Sequence, residues 1–256
     1  MLTHRNARLG LVGALVVLGG LGAAGLISYW WLLVPVALYF AAVAYGSATI
    51  SSSFFIDTVC EAPNPGPAIA LTFDDGPIPA TLGILEILKK HEVPAAFFCI
   101  GRRVVEHPEI LQQVVAQGHV VGNHSFSHHA LLDFFPKQKL LAELEDTSQA
   151  IEQVIGRRPH LFRPPYGVTT PNLAYAIKQL GMACIGWNVR SLDTVVRDEQ
   201  QLLAKMLTAL KPGAVFLFHD SSTATAHMLD AFLQEAKSRG FSIIPPHQLL
   251  HETAYE

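Results

Sequence analysis

Cysteine is scarce in this 256-residue chain: Cys60, Cys99 and Cys184 stand far apart and form no CxxC pair. An odd number at such spacing excludes a disulfide framework and offers no thiolate zinc site. Cys99 and Cys184 lie inside apolar runs and read as small buried hydrophobes. Positive charge is also short, with 18 Lys+Arg against 21 Asp+Glu. Only Arg5 and Arg8 precede Asp57, so the rest of the chain carries 16 basic against 21 acidic residues, a net charge of −5. There is no basic stripe with interleaved aromatics, and nucleic acid is therefore not an expected partner. Charge is missing altogether from residues 9–56.

A bilayer core takes about 20 apolar residues per helix, and that charge-free stretch is long enough for two. Spans at about 9–27 and 32–50 fit best, with Tyr29, Trp30 and Trp31 forming an interfacial belt between them. Gly19 with Ala23, and Gly20 with Ala24, would let the first span pack closely on the second. A cleaved signal peptide fits less well, because its apolar core would be only about 7–15 residues long. The expected organisation is a membrane anchor at 1–56, a linker at 57–67 and a globular domain at 68–256. The lipid bilayer is thus an expected partner. Arg5 and Arg8 favour a cytoplasmic start, whereas the acidic side at Asp57 favours a domain outside. Two full spans return the chain to its starting side. The start is then also outside, or one segment is re-entrant, or the domain is cytoplasmic; the expectation adopted is an extracytoplasmic domain, on grounds of substrate.

Pro63-Asn64-Pro65-Gly66-Pro67 is a stiff connector, after which short apolar runs alternate with amphipathic stretches. The runs predict strands at 68–73, 95–100, 119–122, 160–162, 183–187, 214–218 and 241–244. Helices are expected near 80–91, 103–117, 137–155, 171–180, 199–210 and 226–239. Strands separated by helices call for parallel pairing, so the fold class is α/β: a distorted (β/α)7 barrel, with an open doubly wound sheet as the alternative. Asp74-Asp75, His124, Arg163, the 188–193 stretch and His219-Asp220 each fall just after a strand, where barrel active sites lie.

Several of these segments carry chemistry. Thr72-Phe73-Asp74-Asp75-Gly76-Pro77 ends a strand in two carboxylates, one able to bind a metal while the other faces a water. His124-Ser125-Phe126-Ser127-His128 sets two imidazoles at i and i+4, one helical turn apart, so both reach a single ion. One Asp and two His make a three-ligand set with open positions. His129, pointing about 100° away on a helix, is read as outside the set. His119 reads as structural, and His91, His107, His227 and His247 as surface or capping residues. Arg163-Pro164-Pro165-Tyr166-Gly167 is a rigid loop in which Arg163 offers a fork for a carboxylate and the Tyr166 N–H a donor for an anion. Phe216-Leu217-Phe218-His219-Asp220 delivers an imidazole able to give a proton to a leaving amine.

Together, and in this order, TFDDGP, HSFSH and RPPYG resemble the polysaccharide deacetylase family (carbohydrate esterase family four), over about 69–244. The resemblance implies a distorted seven-stranded barrel and, usually, a zinc ion. It implies Asp74 as catalytic base, Asp75, His124 and His128 as metal ligands, and Arg163 as the residue orienting the base. Tyr166 would supply an oxyanion-hole N–H, His219 the general acid, and Asp193 the group holding His219 protonated. Leu217, Pro165 and Trp187 would contact substrate. The fourth motif departs from the pattern, with Thr194 where many members have tryptophan and Arg190 where an acid is frequent. The implied activity is removal of N-acetyl groups from amino sugars of a cell-surface polysaccharide of the peptidoglycan or chitin type. The alternatives are a deacylase or deformylase of a lipid-linked sugar, an O-acetyl esterase, or a glycan-binding pseudo-enzyme.

Overall fold

The computed structural model describes residues 2–63 and 66–256, so Asn64 and Pro65 of the expected linker lie outside the described residues. The chain opens with helices α1 (His4–Ala23) and α2 (Leu33–Ala48), then strands β1 (Thr58–Val59) and β2 (Ala68–Asp74). Next come α3 (Thr81–Lys90), β3 (Ala96–Cys99), α4 (Gly101–Glu106), α5 (Pro108–Ala116), β4 (Val120–Asn123), α6 (Lys137–Ile155) and β5 (Leu161–Phe162). The remainder is α7 (Pro171–Gln179), β6 (Ala183–Ile185), β7 (Val189–Arg190), α8 (Glu199–Thr208), β8 (Val215–His219), α9 (Thr223–Ser238), β9 (Ser242–Ile243) and α10 (Pro246–Leu249).

Every one of the seven expected strands is present. With two further short strands, β1 and β7, they form a nine-stranded parallel sheet curled into a distorted barrel, in the order β1-β6-β5-β4-β3-β2-β8-β7, with β9 pairing the start of β2. The period-2 alternation sorts the side chains. Ile69, Leu71 and Phe73 of β2 and Phe216 and Phe218 of β8 face the helices, where Phe73 stacks between Phe97 and Phe218 at 5.1 and 5.8 Å. The other set turns inward: Ala68, Ala70 and Val215 join Phe98, Leu161 and Ile185, closed off by Leu249 and Leu250 at α10. Continuous apolar runs suit strands covered on both sides, and burying each such phenylalanine is worth roughly 1.5–3 kcal/mol. An enclosed inner face is what a doubly wound sheet lacks.

Four local expectations are corrected. Thr58–Val59, in the stretch expected to be linker, is a strand that pairs with β6, and Glu61 bridges to Ala214 beside β8, so this segment helps to close the barrel. The helix expected at 103–117 is two helices, because Pro108 forces His107 out of helical geometry (φ −134°). α9 begins at Thr223, earlier than the apolar periodicity suggests, since Ser222 caps it by accepting from the Thr225 N–H at 3.2 Å. Fourth, a Cβ added at Gly19 or Gly20 would meet nothing within 4 Å, so the expected small-residue seam is not where the first two helices touch. Close approach between the two segments occurs instead at Gly22, where a Cβ would lie 2.8 Å from Tyr29.

α1 and the 20-residue segment from Tyr29 to Ala48 are each long and apolar enough to cross a bilayer, at about 1.5 Å per residue against a core of about 30 Å. Val16, Leu38 and Phe40 are exposed along them. The pair is compatible with a membrane anchor. Both ends of the hairpin are tied to the rest of the chain: the His4 N–H donates to Phe54 O, ahead of β1, at 2.8 Å, and Ser47 O near the end of α2 accepts from the Thr169 N–H at 3.1 Å.

Candidate active site

Strand register brings the first two groups together. β2 and β8 pair so that Asp74 lies directly beside His219, and the alternation that buries Phe73 and Phe218 outside sends Thr72, Asp74 and Leu217 inward. Arg163, fully buried, follows β5 and crosses the barrel interior. One of its nitrogens donates to Asp74 Oδ1 at 2.8 Å and to Thr72 Oγ1 at 2.6 Å, while others reach Ile185 O and Gly186 O. The guanidinium also lies 4.1 Å over the Phe98 ring. With Oδ1 held, Asp74 Oδ2 remains 3.8 Å from His124 Nε2.

Asp75 Oδ1 is 3.6 Å from His124 Nε2 and 3.4 Å from His128 Nε2, and among the described residues these three form the one cluster with metal-binding geometry. That oxygen is buried and has no hydrogen-bond partner. Ligand bonds of about 2.0–2.2 Å to one ion bring donor atoms to such separations, so the residues fit a divalent metal. His124 Nδ1 is 2.8 Å from Arg163 O, which leaves Nε2 as the ligand atom. Burial first, and the neighbouring His124 next, push the His128 pKa below the usual histidine range, favouring the neutral, ligating form.

The two histidines are not on a helix, as i and i+4 spacing suggests. They sit on a loop in which Ser125 (φ 63°) and His128 (φ 48°) are left-handed. Two residues that the motifs do not contain, Asn123 and Glu143, hold it. Asn123 Oδ1 accepts from Ser125 N at 3.0 Å, and its amide donates to Leu144 O and Ser148 Oγ on α6. Glu143 accepts from the Phe126 and Ser127 N–H groups and the Ser127 hydroxyl. A third, Arg103, bonds the backbone of Asp75, donating to its carbonyl oxygen. No sequence signal ties Asn123 or Glu143 to a histidine loop, since their partners depend on where α6 packs.

His219 Nδ1 is 2.7 Å from Asp193 Oδ1, leaving Nε2 toward the cavity. Burial opposes the imidazolium, but the Asp193 hydrogen bond and charge outweigh it and raise the His219 pKa. Asp193 is lowered in turn: burial disfavours its charge, and His219 and the Thr225 hydroxyl overcome that. Asp220 plays another part, accepting from Thr81 Oγ1 at 2.5 Å, and burial pushes it up to about 7. A Cβ at Gly76 would fall 2.1 Å from Asp220 Oδ2, which is why glycine follows the two acids.

Asp74, Asp75, His124, His128 and His219 share a cavity of about 180 Å³ with Tyr166, Trp187, Arg190, Leu192, Thr194 and Leu217. Tyr166 (φ 58°) rests edge-on against the His128 ring at 4.8 Å. Gly167 is required behind it, because its φ is 72° and a Cβ would strike Trp187 at 2.5 Å. Pro165 is buried and is absent from the lining, where its neighbour Pro164 stands instead. His119 is buried, accepts from Ala95 N, and is lowered by burial to about 4, a neutral core residue. His129 accepts from Leu131 N and packs on Phe135, outside the cluster. All three cysteines are free and buried.

The family model described as polysaccharide deacetylase matches residues 61–185. The peptidoglycan-N-acetylglucosamine deacetylase PgdA of Listeria monocytogenes is 35% identical over 185 residues, 72% of this chain and 39% of the relative. The chain thus spans about two fifths of that relative's length. A chitooligosaccharide deacetylase of Bradyrhizobium is 33% identical over 71% of this chain and 90% of the relative. Among solved structures, peptidoglycan deacetylase PdaC of Bacillus subtilis superposes with a TM-score of 0.68 at 35% identity, covering 73% of this chain and 92% of the other.

Proposed function

Because this chain belongs to the polysaccharide deacetylase family, we propose that it hydrolyses the N-acetyl group of an N-acetylglucosamine-type residue in a cell-surface glycan. The observation that carries this reading is the meeting of three units in one cavity: the Asp75, His124 and His128 cluster, the Asp74–Arg163 pair and the His219–Asp193 pair. Relatives named for action on peptidoglycan and chitooligosaccharides support the substrate class.

Asp75, His124 and His128 would hold the ion, and two nitrogens with one carboxylate suit zinc or a neighbouring transition metal. Such an ion, when bound, acidifies water and polarises a carbonyl. Asp74, oriented by Arg163, takes a proton from the attacking water through its free Oδ2. The Tyr166 N–H donates to the oxyanion that develops on the acetyl carbonyl, an effect worth about 2.7–4 kcal/mol per donor. Leu217 and Trp187 wall the acetyl side. Asp193, bonded at Nδ1, holds His219 as imidazolium until Nε2 gives its proton to the departing nitrogen; acetate and a free amine then leave, and His219 is left neutral.

The hairpin is a membrane anchor in this reading, and the barrel is extracytoplasmic, where such glycans are. The purified full chain is expected to release acetate and expose amines on acetylated chitooligosaccharide and on peptidoglycan. Release from acetylated xylan alone would replace the reading with an O-acetyl esterase. Release from none of the three would make the protein a glycan-binding pseudo-enzyme.

A further inference from the structure

A second and larger cavity, about 740 Å³, adjoins the catalytic one, and Tyr166, Trp187 and Arg190 belong to both walls. Its far side is not part of the matched family domain. It is made by the foot of the hairpin, through Thr49, Ser51 and Ser53, and by Asp57 just before β1. The hairpin is also bonded to the loop that carries Tyr166: Thr169 donates from its N–H to Ser47 O at 3.1 Å and from its hydroxyl to Gly46 O at 3.3 Å. The end of α2 therefore stands at the mouth of the catalytic cavity.

The lining suits sugar. Thr49, Ser51 and Asp57 contribute hydroxyls and a carboxylate to it, and Trp187 and Tyr166 contribute aromatic rings. Single well-placed polar groups among aromatic walls fix the orientation of a small ligand, and sites of about 300–1,000 Å³ hold one. That space admits a few sugar rings rather than a long strand. Arg190 is the single cation against two carboxylates, so an anion is not the favoured occupant.

Position supplies the rest. If α1 and α2 cross the bilayer, residues 48–53 lie where the hydrocarbon ends, and a saccharide in this groove rests on the membrane surface. Resting on the deacetylase reading above, we propose that the groove binds the sugars flanking the acetamido residue of a lipid-linked saccharide, which is the substrate class for this chain. A glycan that ends at a lipid terminates where the groove does; a free strand would have to run into the headgroups.

The test uses the full chain in phosphatidylethanolamine–phosphatidylglycerol vesicles with zinc supplied, comparing prenyl-phosphate-linked chitobiose with free chitobiose. The expected kcat/KM is at least tenfold higher for the lipid-linked form. Ser51→Trp, which fills the groove, and Asp57→Ala, a milder change, are each expected to bring that ratio down toward one. Equal rates on the two substrates, or a ratio unmoved by both variants, overturns the proposal and leaves the deacetylase reading standing. If neither chitobiose form nor peptidoglycan loses acetate, the deacetylase reading fails and the proposal with it.

Discussion

Asp74 and Asp75 are adjacent, yet their surroundings differ in kind. Asp74 Oδ1 is saturated by Arg163, whereas Asp75 Oδ1 is buried beside two imidazole nitrogens with no partner. Asp74→Asn is expected to keep bound zinc and lose kcat by about 10²–10⁴-fold, as for removal of a general base. Asp75→Ala is expected to lose the zinc itself. Metal content beside kinetics checks both, and loss of metal from Asp74→Asn with retention in Asp75→Ala would reverse the roles. His219 yields a pH prediction. As the proposed general acid it must be protonated to act, and its folded pKa is raised by Asp193, so activity is expected to persist as pH rises past the ordinary histidine range near 6.5 and to fail once the raised pKa is passed. In Asp193→Asn the alkaline limb of the kcat/KM profile is expected to move to lower pH; an unmoved limb assigns it to another group. In folding, His219 contributes fully below about 6.5 and loses that contribution as pH climbs through its raised value, whereas Asp193, whose pKa is lowered, contributes above the ordinary Asp range near 3.9 and loses it as pH falls.

Elements position these residues more than the motifs reveal. The positions of the strands and the arrival of each polar group at a strand end were legible in the sequence, because short apolar runs separated by amphipathic stretches leave few options. The histidine loop was not legible. Spacing of i and i+4 implies a helix, but Asp75, Ser125, His128 and Tyr166 all adopt left-handed backbone, at roughly 1–2 kcal/mol each. Non-local bonds from Asn123 and Glu143 hold the loop in place. β1 was missed for a similar reason, since two residues carry no periodicity and pair with a strand far along the chain. Asn123→Ala and Glu143→Gln are each expected to weaken zinc binding by about 10–100-fold, as loss of outer supports does. Competition with a chromogenic chelator measures this, and unchanged affinity in both variants would show that the loop holds its shape unaided.

At the scale of the molecule, the hairpin narrows the topologies left open by charge. Its two segments are equally long, and the start of α1 is hydrogen-bonded to Phe54, ahead of β1. If both segments cross a bilayer, Arg5 and Arg8 share the barrel's side, and neither segment is shortened as a re-entrant one would be. Buried native cysteines leave a quiet background for labelling. In single-cysteine variants, Asn6→Cys and Gln200→Cys are expected to react with an impermeant maleimide applied outside intact cells. Trp30→Cys, at the exposed hairpin tip, is expected to be shielded. Opposite sides for Asn6 and Gln200 would refute the hairpin; reaction of Trp30 alone would keep the hairpin and put the barrel in the cytoplasm.

The pairing of β1 with β6 also orders events during synthesis. Thr58 emerges from the ribosome 126 residues before Cys184, its partner, a lag of roughly 6–25 s at about 5–20 residues per second. β2, β3 and β4 can pair as they appear, each with a neighbour close in the chain. The closing strand, tethered to α2, must wait for a distant one. A nascent chain stalled before Ala183 would thus carry an unpaired sheet edge on β5, a natural point for a chaperone or a protease to act.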